Sequence, residues 1–280
     1  MTDNSPANIG EAWRQASQRI GRLDARLLVE HVAVCTHADL IAHPDRSLTP
    51  AQTARLDALL VRRAGGEPLA YLLGSADFHG LDFAVSPAVL IPRPDTEVLV
   101  RLAAARAQQL KAPRIVDLGT GSGIVAVMLA RLCPAAEVTA VDVSPAALAV
   151  ASANAARHGV RVNYLLGDWY APLGGAYFDL VVANPPYVVE GDPHLQQDGL
   201  PFEPQGALTD GVVGGDGLSC LREIIEGAPA HLLPDGCLLL EHGYDQAAKV
   251  RTLLAAEGFS DVVSWCDTAG IERVSGGYWR

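Results

Sequence analysis

The sequence predicts an α/β protein with a doubly wound, mostly parallel sheet and a small helical domain ahead of it. Three observations carry this reading. From Arg114 onward, short apolar runs alternate with amphipathic helical stretches, the βαβ pattern of a parallel sheet. A glycine-rich turn, Asp117-Leu118-Gly119-Thr120-Gly121-Ser122-Gly123, stands where the first of those runs passes into a helix. Before about residue 70, apolar residues recur at helical spacing instead.

The elements follow in order. Ile9, Trp13, Ala16 and Ile20 form one helical stripe, and Leu27, Leu28, Val32 and Cys35 a second. Thr49 is an N-cap, with Pro50 at the first helical position and Gln52 completing a capping box; Leu56, Leu59 and Leu60 make the buried face and Gly65 follows the end. Between Tyr71 and Pro94 the period changes to two. Phe78, the His79-Gly80 turn, then Leu81, Phe83 and Val85 predict a β-hairpin, after which Pro87, Pro92 and Pro94 keep the chain extended. A helix begins near Thr96, with Glu97 in its first turn. The expected organisation is a helical domain over 1–72, a hairpin linker over 73–94 and a sheet domain over 95–280.

Within the last region, RIVDLG, EVTAVDV, RVNYLLGD, FDLVVANPP, GCLLLEHG and SDVVSWCD read as strands, and RVSGGYW adds a last edge strand. Helices are expected at GIVAVMLARL, PAALAVASANAARHG, GLSCLREIIEGAPAHL and QAAKVRTLLAAEG. Ligands of such a sheet bind at the carboxyl ends of its strands.

Composition narrows the chemistry. The 280 residues carry 21 basic and 32 acidic side chains, a formal charge of −11, of which −9 falls after residue 85. A nucleic-acid enzyme ordinarily presents a basic face to phosphates, so direct nucleic-acid binding is not expected. The polar opening MTDNSPANIGEAWRQ and the lack of an apolar run near 20 residues predict a cytoplasmic protein without membrane contact. The five cysteines, Cys35, Cys133, Cys220, Cys237 and Cys266, never pair as Cys-x-x-Cys and read as buried free thiols. Eight dispersed histidines offer no paired ligand spacing, so no metal is expected.

Glycines in the 117–123 turn let backbone amides approach a ligand closely at a helix N-terminus. Nicotinamide and flavin enzymes share such a turn. Here the spacing is Gly-x-Gly-x-Gly, and Asp117 ends the strand just before it. A carboxylate repels a pyrophosphate and attracts the ammonium of a methionine moiety, which favours S-adenosylmethionine. Asp142, at the end of the next strand, is placed to accept two ribose hydroxyls. Asp168 and Trp169, after the third strand, suit the adenine amino group and its ring or the methionine tail.

The sharpest signal is Asn184-Pro185-Pro186-Tyr187, at the end of the apolar run from Phe178 to Ala183. The prolines lack backbone donors and fix φ, leaving the Pro185 carbonyl free to face a cleft. With the Asn184 side-chain carbonyl it offers two acceptors, matched to the two N–H bonds of a planar –NH2 group. Tyr187 supplies a ring against which a flat amide or base can lie.

This tetrapeptide resembles the signature of S-adenosylmethionine-dependent methyltransferases that modify planar nitrogens. Further stretches narrow the resemblance: Glu67-Pro68-Leu69-Ala70-Tyr71-Leu72, Ile91-Pro92-Arg93-Pro94-Asp95-Thr96-Glu97, Phe202-Glu203-Pro204, Gly215-Asp216-Gly217-Leu218 and Glu241-His242-Gly243. Together they are similar to the peptide-chain release-factor glutamine methyltransferase family over nearly the whole chain. The resemblance implies a Rossmann-like seven-stranded methyltransferase sheet, with S-adenosyl-L-methionine as methyl donor and S-adenosyl-L-homocysteine as product. It implies methylation of the side-chain amide nitrogen of the glutamine in the Gly-Gly-Gln motif of class-1 release factors. It places the cofactor at Asp117, Leu118, Gly119, Thr120, Gly121, Asp142, Trp169 and Asn184, the glutamine at Asn184, Pro185, Pro186 and Tyr187, and catalysis at Asn184 and Pro185. Gln205, where many members carry Arg, and the end from Arg273 to Arg280 depart from the pattern.

An amide nitrogen is a poor nucleophile, because its lone pair is delocalised into the carbonyl. Asn184 and Pro185 are expected to hold it by both N–H bonds and to stabilise the positive charge that builds during transfer. The helical domain is expected to grip the release factor. A nucleic-acid adenine N6-methyltransferase is the alternative that shares Asn-Pro-Pro-Tyr, a nicotinamide oxidoreductase one that shares only the glycine turn, and a non-catalytic cofactor sensor a third.

Overall fold

The computed structural model describes residues 8–280; the polar segment 1–7, with the start of the expected 1–72 domain, lies outside the described residues. The chain divides into two compact units, Met1–Gly74 with Gln196–Phe202, and Ser75–Leu195 with Glu203–Arg280.

The first unit is helical: α1 (Ile9–Ile20), α2 (Arg22–Ala33), α3 (His37–Ala42), α4 (Pro50–Ala64) and α5 (Leu69–Leu73). Each start has a chemical reason. The Asn8 side chain accepts a bond from Glu11 N at 2.8 Å, occupying one of the amide donors that a helix N-terminus leaves open. At α4 the predicted capping box is reciprocal, Gln52 N donating to Thr49 Oγ1 at 3.2 Å and Thr49 N to Gln52 Oε1 at 2.9 Å. The short α3 escaped the periodicity reading, yet its Thr36 and Asp39 form a capping box too. Ile9, Ala16, Leu28, Val32, Leu56 and Leu60 meet in one core, with Trp13, Ile20 and Cys35 packed at its margin.

The second unit opens with a hairpin, β1 (Ser75–Phe78) and β2 (Leu81–Ala84), paired Phe78 to Leu81. His79 and Gly80 both take positive φ, 56° and 72°, the two-residue turn whose twist matches that of the strands. Phe78 and Phe83 enter the same core as the main sheet, so this hairpin is part of the second unit.

Next come α6 (Thr96–Ala107), β3 (Arg114–Leu118), α7 (Ile124–Leu132), β4 (Glu137–Asp142), α8 (Pro145–Arg157), β5 (Asn163–Leu166) and β6 (Phe178–Ala183). The chain closes with α9 (Ser219–Gly227), β7 (Leu232–Glu241), α10 (Ala247–Glu257), β8 (Ser260–Cys266) and β9 (Glu272–Trp279). Seven strands form one sheet in the order β5-β4-β3-β6-β7-β9-β8. The pairings from β5 through β7 are parallel and the two made by β9 are antiparallel. Successive residues face opposite sides, as the pleat requires. Ile115, Leu180, Val182 and Leu239 join Leu99 and Val127 of α6 and α7, whereas Val116, Val181, Leu238 and Leu240 join Leu221 of α9 and Val250 of α10. Strand order reverses between β3 and β6, the switch point at which open sheets of this kind bind ligands.

Two expectations need correction. The final strand is not at the edge: β9 lies between β7 and β8, and β8 takes the edge. Its glycines reflect that interior position, since a Cβ on Gly276 would stand 2.7 Å from Leu239 Cδ2 and closer still to the Leu238 carbonyl oxygen. Nor are all thiols buried. Cys133 and Cys237 are, but Cys35 and Cys220 are half-buried and Cys266 is exposed, its strand being the outermost. Among the described residues no group of His, Cys, Asp or Glu side chains is arranged to hold a metal, and no helix is long and apolar enough to cross a membrane.

Asn154 of α8 joins three parts of the second unit. Fully buried, it accepts from Ala84 N at 2.7 Å and donates to Ala84 O at 3.0 Å and to Ser122 O at 2.8 Å, tying β2 to the glycine turn. Removing one partner of a buried hydrogen bond leaves the other desolvated. Asn154→Ala is therefore expected to cost about 2–4 kcal/mol of stability, measured by urea unfolding.

Candidate active site

At the carboxyl ends of β3, β4 and β6 the second unit holds a cavity of about 710 Å³, lined by the glycine turn, residues 141–144 and 167–169, Asn184, Pro186, and two flanking segments, 88–93 and 204–207. Five carboxylates face it, Asp117, Asp142, Asp168, Glu190 and Asp210, against a single arginine, Arg93. Such a field favours a cationic ligand and opposes a phosphate-rich one.

Asp117 is the last residue but one of the central strand, which ends at Leu118, and is 1% exposed. Its Oδ2 accepts from Thr120 Oγ1 at 2.6 Å and from Ala126 N at 3.2 Å, so the carboxylate closes the turn and caps the first turn of α7. Burial pushes its pKa up to about 7, with Asp142 adding to the shift and the two hydrogen bonds opposing it. Gly119 and Gly121 take positive φ, and a Cβ on Gly119 would meet the Trp169 ring at 3.2 Å, so only glycine lets that indole lie so close to the turn. Trp169 itself is held at φ 36°. The Leu118 side chain points away into the core, leaving only its main chain to serve a ligand.

Asp142 is half-buried and already holds two amides, Gly121 N on Oδ2 at 2.8 Å and Ser144 N on Oδ1 at 2.9 Å. Each oxygen keeps a further lone pair for a hydroxyl. Asp168 is exposed on the cavity wall.

Asn184 and Pro186 line the cavity, while Pro185 is buried. The Asn184 amide is oriented: Nδ2 donates to Thr96 Oγ1 at 3.2 Å, which turns Oδ1 the other way. Tyr187 is half-buried with its hydroxyl inward, donating to Glu241 Oε1 at 3.4 Å, and its carbonyl accepts from Gln246 Nε2 at 2.9 Å. Burial holds the Tyr187 phenol above its ordinary range. The cavity's flanking segments are joined by Glu203, whose buried carboxylate accepts from Ile91 N at 3.0 Å and pairs with Arg93.

Thr96, Glu203, Glu241 and Gln246 had no role assigned by spacing or chemistry. Thr96 marks a predicted helix start and Glu241 a predicted strand end, while Glu203 lies in a stretch singled out by resemblance. The partners that bring them to the site are far along the chain, Asn184 for Thr96, Ile91 and Arg93 for Glu203, and Tyr187 for Glu241 and Gln246, and nothing local in the sequence records such pairings.

Asp117 generates a pH prediction. An acid whose folded-state pKa is about 7 against an ordinary 3.8 binds its proton more tightly in the folded state. Its contribution therefore lowers folding stability as pH rises from about 4 to about 7, by at most about 1.4 kcal/mol per pH unit, and is level above. Asp117→Asn, which keeps an acceptor for Thr120 and Ala126, is expected to flatten that decline in chemical denaturation followed at several pH values.

Comparison with known proteins bears on this geometry. The methyltransferase small domain family matches residues 94–197, and the PrmC N-terminal domain family matches residues 11–74. A release factor glutamine methyltransferase of Bordetella pertussis is 52% identical over 264 residues, covering 94% of this chain and 97% of the relative. One from Burkholderia pseudomallei is 49% identical over 283 residues, covering 99% and 98%. Among solved structures, the T. thermophilus 16S rRNA N2 G1207 methyltransferase in complex with AdoMet and guanosine superposes with a TM-score of 0.54 at 20% identity, over 74% of this chain and 50% of that one, a likeness of fold alone. A glycine turn and an Asn-Pro-Pro-Tyr segment on one cavity, in a chain matched nearly end to end by these relatives, have a common origin: the chain belongs to the release factor glutamine methyltransferase family.

Proposed function

We propose that this protein transfers a methyl group from S-adenosyl-L-methionine to the side-chain amide nitrogen of the glutamine in the Gly-Gly-Gln motif of class-1 peptide-chain release factors. The observation that carries the reading is the orientation of Asn184, whose amide nitrogen is engaged by Thr96 while its carbonyl oxygen is left for another donor. The family relationship supports the release-factor substrate.

The donor suits the residues present. Asp117 is a buried acid without a cationic partner among its hydrogen bonds, and a positively charged group beside it would offset the cost of its burial. The donor's ammonium and sulfonium bring positive charge to a cavity faced by five carboxylates. In this reading Asp117, the main chain from Leu118 to Gly121, Asp142, Trp169 and Asn184 hold it. When bound, it supplies an electron-poor methyl group on a cationic sulfur.

Asn184 Oδ1 and the Pro185 carbonyl accept the two N–H bonds of the glutamine amide, and Tyr187 helps shape the pocket. Fixing both N–H bonds sets the direction of the nitrogen lone pair before any bond forms. As the nitrogen takes up the methyl it gains positive charge, which the same two oxygens stabilise until one N–H proton leaves to solvent. No general base is required. Apolar side chains on the cavity wall, among them Val89, Ile91 and Val125, lower the local dielectric and strengthen these interactions.

Methyl-labelled S-adenosylmethionine offered with a release factor, with the same factor carrying Ala in place of the Gly-Gly-Gln glutamine, and with duplex DNA is expected to label the native factor alone. Label on DNA would redirect the reading to a nucleic-acid substrate. Asn184→Ala is expected to lower kcat about 10²–10³-fold, as loss of a transition-state hydrogen bond does, while donor affinity measured by calorimetry changes far less.

A further inference from the structure

Two consecutive prolines leave the middle of the Asn-Pro-Pro-Tyr segment without amide donors, so its main chain has to be held from either side. Upstream, Ala183 is paired with Leu118 of β3 and Leu240 of β7. Downstream, Val188 N donates to Leu208 O at 2.9 Å, and the Tyr187 carbonyl accepts from Gln246 Nε2 at 2.9 Å. Gln246 stands just ahead of α10 and is 4% exposed. Its amide fits only one way round. The Gly243 N–H, which can only donate, meets Oε1 at 2.8 Å, and the Tyr187 carbonyl, which can only accept, meets Nε2. The same Nε2 lies 3.4 Å from Gly217 O and 3.5 Å from Asp216 O, so its second proton is used as well. Gly217, at φ 70°, leaves the room for this arrangement: a Cβ there would stand 2.5 Å from the Tyr187 oxygen and 3.0 Å from Nε2. The turn that carries the amide is fixed in its own right. Gly243 O accepts from Gln246 N at 3.1 Å and from His242 Nδ1 at 2.9 Å, which puts the imidazole proton on Nδ1 and leaves Nε2 of this fully buried ring to accept from Ser275 Oγ of β9 at 2.8 Å.

We propose that Gln246 is a positioning residue, which fixes where the Asn-Pro-Pro-Tyr segment ends after leaving β6 and thereby aims the Pro185 carbonyl at the substrate nitrogen. The inference rests on the reading of Asn184 and Pro185 as acceptors for the glutamine amide. The proline rings fix φ, so the direction of the Pro185 carbonyl is left to ψ, and the two ends of the segment decide that angle. Asn184 continues β6 at one end. At the other, Gln246 ties Tyr187 to the 216–217 turn and to the turn that follows β7. Without its amide, the carbonyls of Tyr187, Asp216 and Gly217 would face one another with no donor between them, and their separation would carry the segment along.

The test compares Gln246→Met and Gln246→Glu in the full-length protein. Methionine fills the space of glutamine but offers neither end of its amide. Glutamate reproduces the amide when protonated, one oxygen accepting from Gly243 N and the other donating to Tyr187 O; once ionised, it sets an oxygen without a proton against the carbonyls. Gln246→Met is expected to lower kcat on a release factor on the order of 10–10²-fold, with the affinity and stoichiometry of donor binding, measured by calorimetry, close to the parent's. Gln246→Glu is expected to keep most of the rate at about pH 6 and to lose it as pH rises, by up to about tenfold per pH unit, with kcat taken relative to the parent at the same pH. That ratio removes titration common to both proteins, that of Asp117, Asp216, Glu241 and His242 included. Parental kcat in Gln246→Met overturns the proposal, as does a Gln246→Glu variant no better than Gln246→Met at the acid end. Where Gln246→Met loses donor-binding sites in step with kcat, a folding defect, the glutamate variant decides alone: recovery toward acid pH supports the proposal and a uniformly low rate overturns it. Failure of the parent protein to label any release factor is a separate outcome, which overturns the functional reading and the positioning role with it.

Discussion

The geometry of the cavity depends on a carboxylate buried at the end of the central strand. Asp117 lies where β3 runs between β4 and β6, and the turn that follows is folded around it. Thr120 and Ala126 bond to it from one side of that turn; Gly121 reaches across to Asp142, and Ser122 is held by Asn154. Glycine at 119 and 121 permits the positive φ angles this closure demands, but the acid gives the turn something to close on. The same burial makes Asp117 a poor anion on its own and a better one beside a cation.

A second buried acid ends β7, and its contrast with the first is instructive. Burial pushes both Asp117 and Glu241 up to about 7. Asp117 borders the cavity, whereas Glu241 is absent from its lining and accepts the hydroxyl of Tyr187.

Much of this was legible in the sequence because the signals are local. Thr49, Pro50 and Gln52 specify the start of α4 within four residues, His79-Gly80 specifies the hairpin turn, and the 117–123 turn and Asn184–Tyr187 announce themselves by composition. What escaped depends on pairing between distant segments. The interior place of β9 comes from strand order, which no periodicity encodes, and the glycines of RVSGGYW read naturally as a weak edge until their contacts with β7 are seen. Leu118 stood inside a binding motif, yet the pleat sends its side chain to the opposite face from Asp117 and into the core. Thr96 looked like the start of a helix, and its hydroxyl acquires a second meaning only when β6 brings Asn184 to it from 88 residues away.

The division of the chain into units bears on how such a protein can be taken apart. Residues 196–202 belong to the first unit although they lie deep within the sequence of the second, so the polypeptide passes between the two at three peptide bonds. Within the first unit this excursion is closely fitted: a Cβ on Gly199 would stand 2.8 Å from Pro68 Cγ, and Gly66 faces the Phe202 ring. A cut after residue 74 would not yield two self-sufficient pieces. The N-terminal fragment would lack part of its own fabric, and the remainder would carry a seven-residue loop shaped for a surface no longer there. The helical unit is consequently not a detachable module, and exchanging it between homologues would require grafting two separate stretches of chain together.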